Sequence, residues 1–585
     1  MKVDNIVTYG IIFFGAVFFA LTISNAGMFL NDEWVAGSQL DQLNQGHQIG
    51  YNEGKYGYHE NGTISNYFVQ RDNVLMYSMA LPILAVPALK LLTVCALFDM
   101  VRAGIILVWL LAFITMYAGL YFTWFVRFDG ERNNEVKFAS IIQPIARYSW
   151  VVLVGMAFLA EYMILTAGTS FPVIGDYVPA EILAIVLTNV VLFGVFAVTA
   201  KCIIELVFPD NTWMQWVGLA AAVGCNSILF WVGTCKDHVL TITVVTIILY
   251  LTLDYAVNNT PSRCYGAALG IGLLAWIRPE VALGVGVAFG ATLFYLNHEH
   301  LHQVLPVMGK GAIVTAIGTI PMFVNNYVVT GNLFVHPFML ANAQRYGGST
   351  TNVISIVSTA HPTPLVELQN IIGTVITPQS GAASLSLVMP LVALSVILSP
   401  YLIYRWHQQT FTLTRTEVIL VVFGVVSTMY YLLHSGFFIH LDTGIVPDLR
   451  YYSVVYLPLT LAALSVLVRV FRLTPIPILR RIVISTGGLV ILSLMGIAIL
   501  AESYRGYNHV MNILVVLAIG GALLMIVQHR TSDRRVWIES MVAVLIALPL
   551  TWQLVLATVY SSIKLHAYPM LIPATEWICN LIFVG

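Results

Sequence analysis

Charge is what this sequence has least of. Only 9% of its 585 residues are Asp, Glu, Lys or Arg, against 58% hydrophobic residues, and the formal net charge is −1. That balance argues against nucleic acid as a partner, and a mean hydropathy of +0.84 excludes a water-soluble globule. Nucleotide-binding loops are missing as well. Neither GxGxxG nor GxxxxGK[ST] occurs in a strand–loop–helix setting, so no soluble nucleotide-binding domain is expected. The six cysteines, Cys95, Cys202, Cys225, Cys235, Cys264 and Cys579, form no CxxC and lie mostly inside apolar runs, where they act as small hydrophobes. Ten-residue alternation of polar and apolar positions is also missing, which favours helices over a membrane barrel.

What the chain does have is apolar runs of about 20 residues, enough to cross a hydrocarbon core of roughly 30 Å. They fall at 6–30, 74–98, 102–126, 150–168, 180–208, 214–233, 238–256, 264–278, 281–297, 304–324, 386–406, 417–437, 451–470, 482–501, 509–528 and 536–558. Some are short or carry prolines, so we expect about 13 crossings. Twelve Trp and 28 Tyr, many near segment ends, suit interfacial anchoring. The opening MKVDN and its apolar run read as an uncleaved first helix, with SNAG at 24–27 as the competing cleavage site.

Basic loops orient the later half: RWHQQTFTLTR (405–415), RVFRLTPIPILRR (469–481) and HRTSDRR (529–535) belong inside. Outside then fall 325–385, 434–450, 502–508 and 233–238, together with a polar first loop at 31–72. The basic stretch 127–147 also reads as inside, which demands an odd number of crossings after 31–72, yet two apolar segments intervene. Either LPILAVPALKLL (81–92), with its two prolines and a lysine, is a re-entrant or interfacial helix, or 127–147 lies outside despite its charge.

The stretch FLNDEW (29–34) places Asp32 and Glu33 side by side where the first apolar run ends. A carboxylate fixed there by a long helix and partly buried is a better proton acceptor for a hydroxyl; alternatively, interfacial acids merely mark the helix exit. Further on, TCKDHVLTITVV (234–245) puts an acid at the outer start of a helix, and GIGLLAWIRPE (270–280) is a Gly-rich helix ending in Arg-Pro. NNYVVTGNLF (325–334) and VPDLRYYSVVYLPL (446–459) are loop-to-helix junctions.

In their order and spacing these features resemble the GT-C superfamily of membrane glycosyltransferases, which includes the protein O-mannosyltransferases and the aminoarabinose transferases. The resemblance covers roughly residues 1–460, as a catalytic transmembrane module, and leaves 461–585 as C-terminal helices with no recognised motif. It implies an all-α polytopic membrane protein, a GT-C-type bundle with external loop helices in the first loop (31–72) and a second large loop (325–385). It also implies that an acid of the pair Asp32–Glu33 is the catalytic base, Asp32 being the first choice, and that the donor is a sugar on a polyprenyl phosphate. Such a leaving group needs cations at the outer interface. Arg278, 14 residues into its segment and about 21 Å up the helix, is one candidate; pairing with Glu280 is its alternative. Arg450 with Tyr451 is a second, the alternative being an interfacial anchor, while Arg71 and Lys55 are weaker candidates. Asp237 and His238 would support the acceptor or a metal, unless Asp237 simply complements the helix dipole. His336, His361, His440 and Asp442 lack close ligand spacing, so a divalent metal is neither required nor excluded. NHEHLHQ (297–303) reads as a solvated inner loop, and Asn61-Gly62-Thr63 as a glycosylation sequon consistent with an outer location.

The resemblance thus implies an inverting glycosyltransferase in the cell membrane, acting on an acceptor glycan, lipid or protein at the outer face. No WWD occurs, which disfavours transfer to asparagine. The competing reading is a polytopic transporter or lipid flippase, which interrupted spans and an intramembrane arginine also fit.

Overall fold

Backbone polar groups in an apolar layer must bond within their own segment, so long apolar runs fold as helices. The computed structural model describes residues 3–28, 33–46, 59–60, 63–64, 77–97, 100–121, 155, 179–298, 301–337, 373, 375–376, 382–435, 452–500, 504–528, 533–559, 566–573 and 575. The fold is an all-α bundle around one buried core, and ten described helices are long and apolar enough to cross a membrane. The expected spans at 150–168 and the loop at 127–147 lie outside the described residues, apart from residue 155.

The first helix, α1 (Val3–Ile23), rises from a lower to an upper face and passes into strand β1 (Asn25–Met28). There follow α2 (Trp34–Asn44) and α3 (Ala80–Ala96). Both ends of α3 stay at the upper face. Met79 N–H at its start donates to Asn325 Oδ1 at 3.3 Å, Lys90 reaches Asn44 of α2 at 2.6 Å, and a tight turn leads from Cys95 into α4 (Val101–Tyr121). From there α4 descends antiparallel to α1: Trp109 Nε1 donates to Thr22 Oγ1 at 2.9 Å, Met116 packs on Gly15 and Ile11 on Gly119. The stretch 81–92 therefore begins and ends at one face of the bundle, as a re-entrant or interfacial helix does. Of its two prolines, Pro82 is buried near the helix start and Pro87 lies exposed within it. One described crossing then remains before 127–147, the odd number that an inside placement requires.

Next, α5 (Ala180–Val207) descends beside α1, with Tyr9 donating to Glu205 at 2.6 Å on the lower face. The expected span 214–233 is broken into α6 (Thr212–Gly224) and α7 (Ile228–Val232). Interrupting a helix inside the bundle exposes peptide groups, and one side chain satisfies them: Gln553 accepts Leu229 N–H at 3.1 Å and donates to Gly224 O at 2.8 Å. The chain descends through α8 (His238–Asn258), rises in α9 (Pro261–Ile277), descends in α10 (Pro279–Asn297) and rises through α11 (Leu301–Gly318) into α12 (Ile320–Thr330).

Prolines divide the expected span 386–406 into α13 (Leu385–Val388), α14 (Pro390–Ile397) and α15 (Ser399–His407). Its upper start is capped from a distance: Asn512 accepts Ser384 N–H and donates to Ala382 O, both at 3.0 Å. Then come α16 (Arg415–Ser435), α17 (Ser453–Phe471), α18 (Pro475–Leu500), α19 (Tyr504–Gln528) and α20 (Asp533–Thr558). Their lower ends are tied by buried glutamates: Glu417 to Arg469 and Ser465, and Glu539 to Thr474, Arg481 and Arg535. The loops 405–415 and 469–481 thus share one face, opposite β1. Finally β2 (His566–Met570) returns over the upper face and pairs antiparallel with β1, Asn25 opposite Met570 and Met28 opposite His566.

Helices α9 and α11 touch backbone to backbone. A methyl on Gly272 would lie 2.3 Å from Thr315 O and 2.7 Å from Gly318 Cα, whereas one on Gly286 would meet only Ile271 at 3.6 Å. Backbone cannot yield as a flexible side chain does, so Gly272→Ala should destabilise the protein by about 1–3 kcal/mol. Gly286→Ala should be neutral or stabilising by up to about 1 kcal/mol. Thermal unfolding of both variants in one detergent checks the contrast.

Candidate active site

Five segments meet at the upper face: the start of α2, the residues before α3, the α7–α8 loop, the α9–α10 junction and α12. Packing brings them together, since Trp276 and Leu43 cover the buried pair Met79 and Val329. The centre is the loop Gly233–Asp237. Its strand-like first half forms a parallel bridge from Thr234 to Gly27 of β1, so β1 is flanked by this loop and by β2.

The loop is held from several elements at once. Asn189, from within α5, donates to Thr234 O at 2.8 Å and to Lys236 O at 3.4 Å. Glu33, at the start of α2, accepts Cys235 N–H at 2.7 Å. Lys236 is 8% exposed, with Nζ 5.2 Å from the Tyr77 ring centroid, a cation–π contact. Gln39 in turn fixes Tyr77 by donating to its carbonyl at 2.9 Å.

Asp237 occupies the N-cap position of α8 but makes no side-chain cap bond there. Instead its carboxylate takes a two-pronged contact from Arg278, Nε at 3.0 Å and Nη2 at 2.8 Å. The arginine reaches it because Pro279 follows: a pre-proline residue is driven out of the helical region, and Arg278 adopts φ −146°, ψ 96° between α9 and α10. Glu280 lies further from the guanidinium, at 3.7 Å. The pair is a partnership that none of the alternatives read from the sequence named: Asp237 turns to Arg278 and not to its own helix, and Arg278 is closer to Asp237 than to Glu280. Burial works against the Asp237 charge, but attraction and hydrogen bonding from Arg278, aided by Lys236, outweigh it and hold the carboxyl below its usual range. A carboxylate held this firmly ionised is a poor proton acceptor and a good orienting group.

His238 is 1% exposed and packs edge-on against Trp231, with ring centroids 4.5 Å apart, which makes it part of the core beneath the loop. Burial pushes His336 down to about 4, so its imidazole is neutral near pH 7. Asp32, Arg450 and Tyr451 lie outside the described residues, as do Lys55, Arg71, His361, His440 and Asp442. Their described neighbours Glu33 and Tyr452 are buried, at 1% and 4% exposure, and burial raises the Tyr452 phenol above its ordinary value. Among the described residues no group of three His, Cys, Asp or Glu side chains is placed to hold a metal ion. The sequence analysis passed over Lys236 and Asn189. Lys236 carried a signal, being a lysine at the outer start of a span, where the positive-inside bias expects few.

No family model and no curated protein matches this chain. Among solved structures, it is similar to the crystal structure of ArnT from Cupriavidus metallidurans bound to undecaprenyl phosphate. That match has a TM-score of 0.45 and 11% identity, over 95% of this chain and 77% of the other. The functional reading therefore rests on the residues described above.

A depressed Asp237 pKa has a definite sign in stability. The contribution is complete above the unfolded carboxyl value of about 3.9 and is lost as pH falls through the lower folded value. Asp237→Asn should cost roughly 1–3 kcal/mol at neutral pH, the scale of a charge-assisted hydrogen bond. The gap from the parent should stay constant above about pH 5 and close in more acidic buffer, as read by melting temperature against pH.

Proposed function

We propose that this chain is an inverting glycosyltransferase of the GT-C type. It would move a sugar from a polyprenyl-phosphate donor to an acceptor hydroxyl on a glycan, lipid or protein at the outer face of the cell membrane. One observation carries the reading: Glu33 at the start of α2, the Lys236–Asp237 loop and Arg278 converge at the face opposite the basic loops. Cations gathered at a membrane-level site suit a phosphate tethered to lipid.

In this reaction the acceptor oxygen attacks the anomeric carbon from the side opposite the phosphate. A carbon–oxygen bond to the acceptor forms as the bond to the phosphate oxygen breaks, and the electron pair leaves with the phosphate. Asp32, one peptide bond before Glu33, takes the acceptor proton. Arg278 and Lys236, joined by Arg450 and Tyr451, offset the charge growing on the leaving group, an effect strongest where water is excluded. Asp237 aims Arg278 and keeps it from wandering among phosphate oxygens. A divalent metal, if the enzyme uses one, would add Lewis-acid stabilisation of that same phosphate.

Asp32→Asn should lower transfer by about 10²-fold or more, the scale of general-base catalysis, while folded yield is unchanged. The assay is a panel of radiolabelled polyprenyl-phosphate sugars with purified protein. Retained transfer removes Asp32 from its role. Solute counterflow in proteoliposomes, with no transfer from any donor, would establish the transporter reading instead.

A further inference from the structure

The FLNDEW pair contains two acids, and the geometry points to different work for the second. Glu33 is 1% exposed and makes no side-chain cap on the helix that it starts. Its carboxylate is turned away from that helix to receive the N–H of Cys235, 202 residues distant in sequence. Asn189 is fully buried within α5 and grips the same loop from the other side through the carbonyls of Thr234 and Lys236. Those peptide groups belong to the turn between α7 and α8. The clamp therefore satisfies the backbone and sets the direction of the two side chains that follow, Lys236 toward Tyr77 and Asp237 toward Arg278.

We infer that Glu33 and Asn189 are positioning residues that hold the Thr234–Asp237 loop, and that Glu33 acts as a hydrogen-bond acceptor and not as a proton acceptor. This rests on the glycosyltransferase reading for its kinetic consequence only. Glutamine separates the two roles, because it keeps a carbonyl oxygen at the same reach and has no basicity.

The experiment compares Glu33→Gln, Glu33→Ala, Asn189→Ala and Asp32→Asn with the parent. Glu33→Gln should transfer sugar within about threefold of the parent, with the acid limb of its pH–rate profile unmoved. Glu33→Ala and Asn189→Ala should lose about 10²-fold in kcat, as expected when a loop shifts by about 1 Å. A Glu33→Gln variant as inactive as Asp32→Asn overturns the inference, as does full activity in Glu33→Ala. If the parent itself transfers no sugar, the glycosyltransferase reading fails and amide exchange still decides the clamp. The peptide spanning 233–238 should exchange faster in Glu33→Ala and Asn189→Ala but not in Glu33→Gln; equal protection in all four proteins overturns it.

Discussion

A peptide group that leaves a helix inside an apolar bundle has no water to turn to, and satisfying such groups is the constraint on which the rest of this architecture depends. The chain interrupts its helices repeatedly: between α6 and α7, between α7 and α8, at Arg278, and twice in the stretch from 385 to 407. Polar side chains from distant helices meet the first two of these breaks and the start of the last stretch. Gln553 serves the first, Asn189 and Glu33 the second, and Asn512 the start of the last. Each of these residues is buried, and each joins elements far apart in sequence. The interruptions are also what create the upper-face site, since an unbroken α6–α8 would leave no loop to present Lys236 and Asp237.

The distribution of charge follows the same logic at two faces with different outcomes. On the lower face, Glu417 and Glu539 are enclosed by arginines and by the hydroxyls of Ser465 and Thr474, so the glutamates act as fasteners for helix ends. Removing an arginine there would strand a buried carboxylate, which costs far more than a surface ion pair contributes. On the upper face, Arg278 meets Asp237 and stands near Glu280, while Lys236 rests against an aromatic ring. The Tyr77 ring and Asp237 both act on Lys236, so the upper-face cations are oriented by their neighbours and not enclosed by carboxylates as the lower-face arginines are.

Helix content and the shared face of the basic loops 405–415 and 469–481 were legible in the sequence, and so was the irregularity of 81–92, though not which of its alternatives holds, because hydropathy and prolines act locally. What the sequence withheld was tertiary. Nothing in TCKDHVL says that Asp237 will turn from its own helix to Arg278, 41 residues on, since that depends on where Pro279 sends the chain. His238 looked like a site residue beside an acid, but the first turn of α8 rotates it into Trp231. Several single spans proved to be split because a lone Asn226–Ser227 or a proline reads as tolerable in a hydropathy window. Asn189 sits in mid-span with no motif around it, and only the fold reveals the loop it holds.

An adjacent acidic pair at a helix exit raises the question of why two carboxylates are better than one. On an extended or turning backbone, neighbouring side chains diverge, so both cannot face the same substrate hydroxyl. Glu33, turned inward to Cys235, ties the start of α2 to the loop that carries Lys236 and Asp237. In the reaction proposed above, proton removal and phosphate departure fall on opposite sides of one carbon, so the two sets of groups would have to keep a fixed separation. A buried N–H of the cation-bearing loop, donated to the second acid, is a short non-covalent route to that fixed separation, and on the inference drawn above the pair is a mechanical unit and not a duplicated base.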